Sequence, residues 1–421
     1  MSTSGLARTG LGWPTGGPGD DDVPSADLGW PGPGHGPVRG GSELDPEVDP
    51  QHGSGHASNT EHTVAFEDQD GPPGDRVSRE TVTGSAAEHS CERDLLAASL
   101  PEPDAETPLA QAVAVDARRR ISLTGKVFPM PDHTRILTVA NQKGGVGKTT
   151  TTVNIAAALA QAGLRVLVID IDPQGNASTA LGIDHHADVP SIYDVLVDAK
   201  AIVDVVQECV DIPNLWCVPA TIDLAGAEIE LVSLVARETR MQRALSAYLA
   251  DAADRGEQRL DYVLIDCPPS LGLLTVNAFV AADEVFIPIQ CEYYALEGLS
   301  QLLKNVELIK SHLNPGLHVS TILLTMYDAR TRLSAQVADE VRSHFPAHVL
   351  RTTVPRSVRI SEAPSHGQTV MTYDPVSSGA LSYLEAASEL ADRGSAGPPS
   401  AWSAGSVGSA EPVAAARPLA E

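Results

Sequence analysis

The chain has 421 residues and a formal net charge of −26, with 9 Lys/Arg against 21 Asp/Glu in residues 1–130 and 20 against 34 in the rest. An acidic excess in both parts excludes diffuse attraction to nucleic acid, so any contact with a polyanion must come from a local cluster of Arg or Lys. Five cysteines without a C-x-x-C pair argue against a disulfide framework or zinc ribbon, and no run of 18 apolar residues occurs, since Asn277, Asp283 and Glu284 interrupt the best candidate; with no apolar core behind a basic start, a cytoplasmic protein is expected.

Of the first 40 residues 17 are Gly or Pro, and up to about residue 105 no periodicity is sustained. Such a segment cannot bury enough surface to offset its ordering entropy, so residues 1–130 are expected to be a disordered acidic extension. Within it, Leu109 to Ile121 has the pattern of a short helix ending in three arginines. A solvated linker helix is the plain reading, and a docking segment for a partner the sharper one.

An apolar, β-branched run, Arg135 to Ala140, leads into Asn141-Gln-Lys-Gly-Gly-Val-Gly-Lys-Thr-Thr150. Gly144, Gly145 and Gly147 remove Cβ atoms where a backbone must curl round a phosphate, so that successive N–H groups and the start of the next helix face the anion. Lys148 then offers an ammonium to β- and γ-phosphates and Thr149 a hydroxyl to Mg²⁺. Gln142 stands where the common P-loop pattern has glycine, and Lys143 adds a second lysine at the loop entry. The resulting K-G-G-x-G-K-[ST] form resembles the deviant Walker A loop of the ParA/MinD ATPases.

Lys148 to Ala162 reads as a helix closed at Gly163, followed by the strand Arg165 to Asp170. That strand delivers Asp170-Ile-Asp172-Pro-Gln-Gly to its carboxyl edge, where open α/β sheets bind ligands. Residues 183–250 read as short helices around a small strand, Leu215 to Val218, with Ala225 to Tyr248 the longest helical pattern; His185 and His186 lack the spacing of a metal motif and are read as surface residues. Asp261 to Asp266 is a buried-strand pattern that brings Asp266 to the same edge as the loop, as a Walker B acid requires. Pro268 and Pro269 leave a loop after it, and Cys267 is read as a small buried hydrophobe. Strand Glu284 to Gln290, helix Ala295 to Leu313, strand Val319 to Met326, helix Leu333 to Phe345, strand His348 to Val354 and helix Ser377 to Leu390 complete the pattern. The alternation predicts an α/β fold, a mainly parallel sheet with helices on both faces, over residues 131–393, before a disordered tail at 394–421.

From about residue 133 to 392 the chain resembles the ParA/Soj family of chromosome-partitioning ATPases, in an actinobacterial form with a long N-terminal extension. The resemblance rests on Lys143 to Thr150, Asp170 to Asn176, Asp266 to Gly272, Pro288 to Gly298, Thr325 to Thr331 and Val354 to Gly367. It implies ATP and Mg²⁺ as ligands, a slow Mg-dependent ATPase, and a homodimer that sandwiches ATP. Lys143, Gly144, Gly145, Val146, Gly147, Lys148, Thr149 and Thr150 would cradle the nucleotide, and Lys143 would reach the nucleotide of the second subunit. Asp172 would position or activate water, Thr149 and Asp266 would serve Mg²⁺, and Met326 and Pro355 would flank adenine. Arg330, Arg356 and Arg359 would supply the local cation cluster for nonspecific DNA of the nucleoid. A ParB-type centromere-binding protein would stimulate hydrolysis, and the N-terminal region is the candidate contact for a polar scaffold. No N-K-x-D motif reads guanine, which favours ATP. A MinD-like membrane-associated division regulator is the alternative, but Gly394 to Glu421 has scarcely any of the basic and bulky apolar residues of an amphipathic anchor, so no membrane partner is expected.

Overall fold

A computed structural model describes residues 108–395. The expectations for the acidic extension before residue 108, the tail after 395 and Cys91 fall outside that range. In chain order the elements are α1 (Pro108–Leu123), β1 (Arg135–Val139), α2 (Lys148–Gln161), β2 (Val166–Asp170), α3 (Asn176–Ala180), α4 (Ile192–Leu196), β3 (Gln207–Glu208), β4 (Leu215–Val218), α5 (Leu224–Ser233), α6 (Arg240–Asp254) and β5 (Tyr262–Asp266). They continue with α7 (Leu273–Ala281), β6 (Glu284–Gln290), α8 (Ala295–His312), β7 (His318–Tyr327), α9 (Arg332–His344), β8 (Val349–Pro355), α10 (Val358–Glu362), α11 (Val370–Tyr373) and α12 (Ser378–Ser395).

The strands form one sheet in the order β3-β4-β2-β5-β1-β6-β7-β8, parallel throughout except for the short edge strand β3. Both faces of the central strands are buried, which is why they read as unbroken apolar runs. In β5, Val263 and Ile265 enter one core with Leu224, Met241, Phe279 and Leu302, while Tyr262 and Leu264 enter the opposite one with Ile155, Leu159, Tyr383 and Leu390. The strand register then fixes the site: Asp170 of β2 lies beside Asp266 of β5, which lies beside Val139 of β1. Three adjacent strands thus end level with one another, two of them in a carboxylate and one in the glycine-rich loop.

The long helix expected over Ala225 to Tyr248 is two helices. Ala236 takes a left-handed backbone (φ 55°) between α5 and α6, and Asn277 of α7 stabilises the break, its Nδ2 donating to Arg237 O (2.8 Å) and its Oδ1 accepting from Met241 N (3.2 Å). The linker-helix reading of α1 also gives way. Arg119 makes a two-pronged contact with Glu385 of α12 (2.8 and 2.5 Å), Lys126 reaches Asp392 and Ser388 (2.8 and 2.7 Å), and Phe128 is buried in the core. At the far end of β1, Arg135 and Glu284 form a buried, two-pronged ion pair (2.7 and 2.6 Å). Burial opposes the Arg135 charge, but Glu284 more than compensates and raises its pKa; burial likewise pushes Glu284 up, and Arg135 overcomes it, holding the carboxyl below its usual range. No helix among the described residues is long and apolar enough to cross a membrane.

Candidate active site

The loop from Asn141 to Thr150 leaves β1 and feeds α2. Gly145 and Gly147 have φ of 73° and 88°, a left-handed backbone that side chains with a Cβ rarely adopt. A Cβ at Gly144, Gly145 or Gly147 would meet no protein atom within 4 Å, so the loop surrounds open space and not packed protein. Two side chains outside the glycine motif pin it. Asn141 accepts from Lys143 N (3.0 Å) and donates to Pro288 O of β6 (2.9 Å), and Thr325 of β7 donates to Val146 O (2.8 Å). Asn141 has the local signature of an Asx-turn, which the sequence did display. Thr325 acts across 179 residues, and no local pattern announces such a contact.

Lys148 is buried and its Nζ lies 3.4 Å from Lys143 O. Burial lowers its pKa from the usual lysine value, with Asp266, Cys267 and Asp172 pulling the other way. Lys143 is half-exposed and its Nζ pairs with Glu292 (2.6 Å) at the carboxyl end of β6. Thr149 and Thr150 lie half-buried in the first turn of α2.

Asp266 is fully buried, and both its burial and the charge of Asp170 raise its pKa, against the hydroxyls of Thr149 and Thr152. Thr152 Oγ1 donates to Asp266 Oδ1 (2.9 Å), while Oδ2 has no hydrogen-bond partner among the protein atoms. A buried carboxylate oxygen left without a donor fits a carboxylate poised to meet a cation or its water. Asp170, raised by burial as well, is otherwise committed: it accepts from Asp172 N (3.1 Å), Ser178 N (2.9 Å) and Ser178 Oγ (2.8 Å). It shapes the loop that carries Asp172, a role the sequence left unassigned. Asp172 sits at the same edge, its carboxylate accepting from Gln174 N (3.1 Å). Cys267 is buried against Thr138 Oγ1 (3.1 Å), and burial pushes its thiol up to about 12, as suits a small core residue. His185 bonds Thr179 Oγ1 (2.9 Å), and His186 faces Asp184 at the surface.

Met326 and Pro355 stand at the ends of neighbouring strands, Pro355 in register with Tyr327. Met326 has a left-handed backbone (φ 50°), strain of the kind that collects at ligand sites. Arg356 N donates to Tyr327 O (3.3 Å), so the exposed side chains of Arg330 and Arg356 leave adjacent strand ends on the carboxyl edge of the sheet. Asp328 accepts from the backbone N of Arg330 (3.0 Å) and does not pair with its guanidinium. Arg359 differs. It is paired with Glu362 (3.3 Å) and Asp374 (3.4 Å), which takes up much of its charge.

Comparison with known proteins settles the family. A family model described as an AAA domain matches residues 134–319. Over 261 residues the chain is 55% identical to the sporulation initiation inhibitor protein Soj of Bacillus subtilis, covering 62% of this chain and 99% of that protein. The chain belongs to the ParA/Soj family of chromosome-partitioning P-loop ATPases. The chromosome partitioning protein ParA of Caulobacter vibrioides is 49% identical over 259 residues, 62% of this chain and 94% of that protein. Among solved structures, the cobyrinic acid a,c-diamide synthase from Mycobacterium smegmatis with bound ADP and magnesium aligns at 38% identity and a TM-score of 0.51, over 60% of this chain and 92% of that one. The Pyrococcus furiosus cell division ATPase MinD aligns at 25% identity and a TM-score of 0.50, over 61% and 98%. The shared region is the ParA-type core, and its doubly covered parallel sheet is the fold expected of the family.

Proposed function

We propose that this ParA/Soj ATPase is a nucleotide-gated DNA-binding switch: ATP with Mg²⁺ closes two copies into a sandwich, the dimer binds nucleoid DNA nonspecifically, and a ParB-type partner releases it by stimulating hydrolysis. The observation that carries this reading is the convergence of the phosphate loop, Asp172 and Asp266 at the ends of three adjacent strands, with Arg330 and Arg356 leaving the same edge. The catalytic unit is residues 131–393, with α1 fastened to its outside. Release from and return to the nucleoid within the cytoplasm follow from the cycle.

The loop amides from Gly144 to Thr150 and the Lys148 ammonium bind the polyphosphate, and the anion offsets the burial that depresses Lys148. Met326 and Pro355 lie where adenine would stack. The Thr149 hydroxyl and the unpartnered Oδ2 of Asp266 are the groups fit to hold Mg²⁺ or its water, and bound Mg²⁺ would supply neutralisation of phosphate charge. Asp172 orients the attacking water from the loop that Asp170 holds in place. Lys143 must leave Glu292 to serve the second subunit, and their exposed ion pair is a weak restraint, of the order of 0–1 kcal/mol. Without that second lysine, hydrolysis stays slow, because phosphoryl transfer depends on positioned charge.

Asp172→Ala tests the assignment. Removing the water-directing carboxylate while sparing the phosphate cradle should stop turnover with ATP affinity kept, and the protein should accumulate on DNA in ATP. Loss of ATP binding in a direct titration would instead place Asp172 in the scaffold or the metal site.

A further inference from the structure

The cationic segment after β8 runs from Arg356 through α10 and the 3₁₀ turn Ala363–His366 to α11. It is pinned within itself by the Arg359 ion pairs to Glu362 and Asp374 and by His366 stacked on Tyr373 (5.0 Å). Two contacts tie it to the elements that follow the nucleotide residues. The first is Asn154, on the second turn of α2. It is 2% exposed, its Nδ2 donates to Thr150 O (2.7 Å), and its Oδ1 accepts from Val370 N (2.8 Å) at the start of α11. This directional bond joins the helix that begins with Lys148 and Thr149 to a segment 216 residues away. The second is a close backbone approach between Gly182, just past α3 and so downstream of Asp172, and Gly367, which ends the 3₁₀ turn. Both have left-handed backbones (φ 65° and 64°), and a Cβ on Gly182 would stand 3.1 Å from Gly367 O.

Helix packing alone does not require either feature. An alanine or leucine at position 154 would satisfy an apolar interface; an amide oriented within its own helix by the bond from Nδ2 to Thr150 O, with Oδ1 taking the Val370 N–H, fixes the placement of α11 on α2. Val370 and Thr369 are themselves buried, so the Val370 N–H has no access to water as a substitute partner. A shift of the first turns of α2 on filling the phosphate loop would therefore be passed to α11 through Asn154, and a shift of the Asp172 loop to Gly367 through Gly182.

We propose that Asn154 is a positioning residue that couples nucleotide occupancy of the phosphate loop to the placement of the Arg356–Arg359 segment against DNA, with the Gly182–Gly367 contact as its second point of purchase. This rests on the reading of the chain as an ATP-gated DNA-binding switch. Asn154 touches neither ligand and acts by holding the segment that does.

The test uses the full-length chain and a labelled DNA duplex of random sequence. DNA affinity is measured in ATP and in ADP, and ATP affinity is measured separately by direct titration. The wild type should favour DNA in ATP by about tenfold or more, within the usual range of coupling between sites. Asn154→Ala should bring that ratio below about threefold while ATP affinity changes by less than about threefold. Asn154→Asp keeps an acceptor for the Val370 N–H but loses the donor to Thr150 O, and should recover only part of the ratio. Gly182→Ala, at an exposed position, wedges the second contact and should also lower the ratio; it decides the matter if Asn154→Ala gives no cooperative thermal transition. Wild-type ratios in Asn154→Ala, or in Gly182→Ala where the first variant does not fold, overturn the coupling and leave the functional reading standing. A wild-type chain that binds DNA equally in ATP and ADP overturns the functional reading, and the coupling with it.

Discussion

Replacing Arg330 and Arg356 together with alanine gives the sharpest quantitative test of the proposed DNA surface. The two side chains are exposed at adjacent strand ends, held there by the Arg356 N to Tyr327 O bond, and among the described residues neither guanidinium sits in an ion pair. Both charges are therefore available to phosphates, unlike Arg359, which is held by Glu362 and Asp374. Removing one arginine–phosphate interaction should flatten the dependence of log K on log salt by about 0.9, or about 1.8 for the pair in each protomer. Between about 50 and 200 mM salt, a fourfold change, the ratio of wild-type to variant affinity should then fall by about twelvefold per protomer. The assay is DNA binding in ATP at four or five salt concentrations, with ATP affinity followed in parallel and expected to stay near normal. An unchanged slope at wild-type affinity would refute the placement and move the DNA surface elsewhere on the molecule.

Lys148→Ala is expected to abolish ATP binding, since it removes the buried ammonium aimed into the phosphate loop; unchanged affinity in a direct titration would sink the loop assignment. Glu284→Gln should cost about 3–5 kcal/mol at neutral pH by leaving the Arg135 charge buried without its partner, read from denaturant unfolding. Because Arg135 depresses the folded-state pKa of Glu284, the wild type gains stability above the ordinary glutamate value and loses it as pH falls through the depressed one. The variant should therefore show a flatter acid limb, and parallel pH profiles would contradict the assignment. Removing residues 1–107 should leave the thermal transition where it is. Removing 1–130 should keep ATP binding but lower that transition, because the deletion takes away Phe128 and the Arg119–Glu385 and Lys126–Asp392 pairs; identical transitions would show that residues 108–130 contribute nothing to the stability of the core.

Much of this molecule was legible in its sequence because its central strands are buried on both faces. That burial demands unbroken apolar runs, and runs such as those ending at Asp170 and Asp266 announce both the strand and the edge that carries chemistry. The glycines and lysines of the loop after β1 stand together in sequence, so their pattern could be read without any long-range contact. What was not legible acts at long range. Asn277 splitting the α5–α6 pattern, Thr325 holding Val146, Asn154 holding Val370 and Glu385 receiving Arg119 are contacts between distant residues, and none has a periodicity to reveal it. The short helices α10 and α11 escaped because four or five residues carry no helical period. The helix α7 was hidden inside a run of apolar residues that serves a buried helix and a strand equally well.

The measurement that bears most directly on the account is DNA binding by the intact chain with ATP, with ADP and without nucleotide, at one fixed salt concentration. Tight binding confined to ATP and reversed as ATP is hydrolysed is the expected result. Equal binding in all three conditions, or none in any, would contradict it.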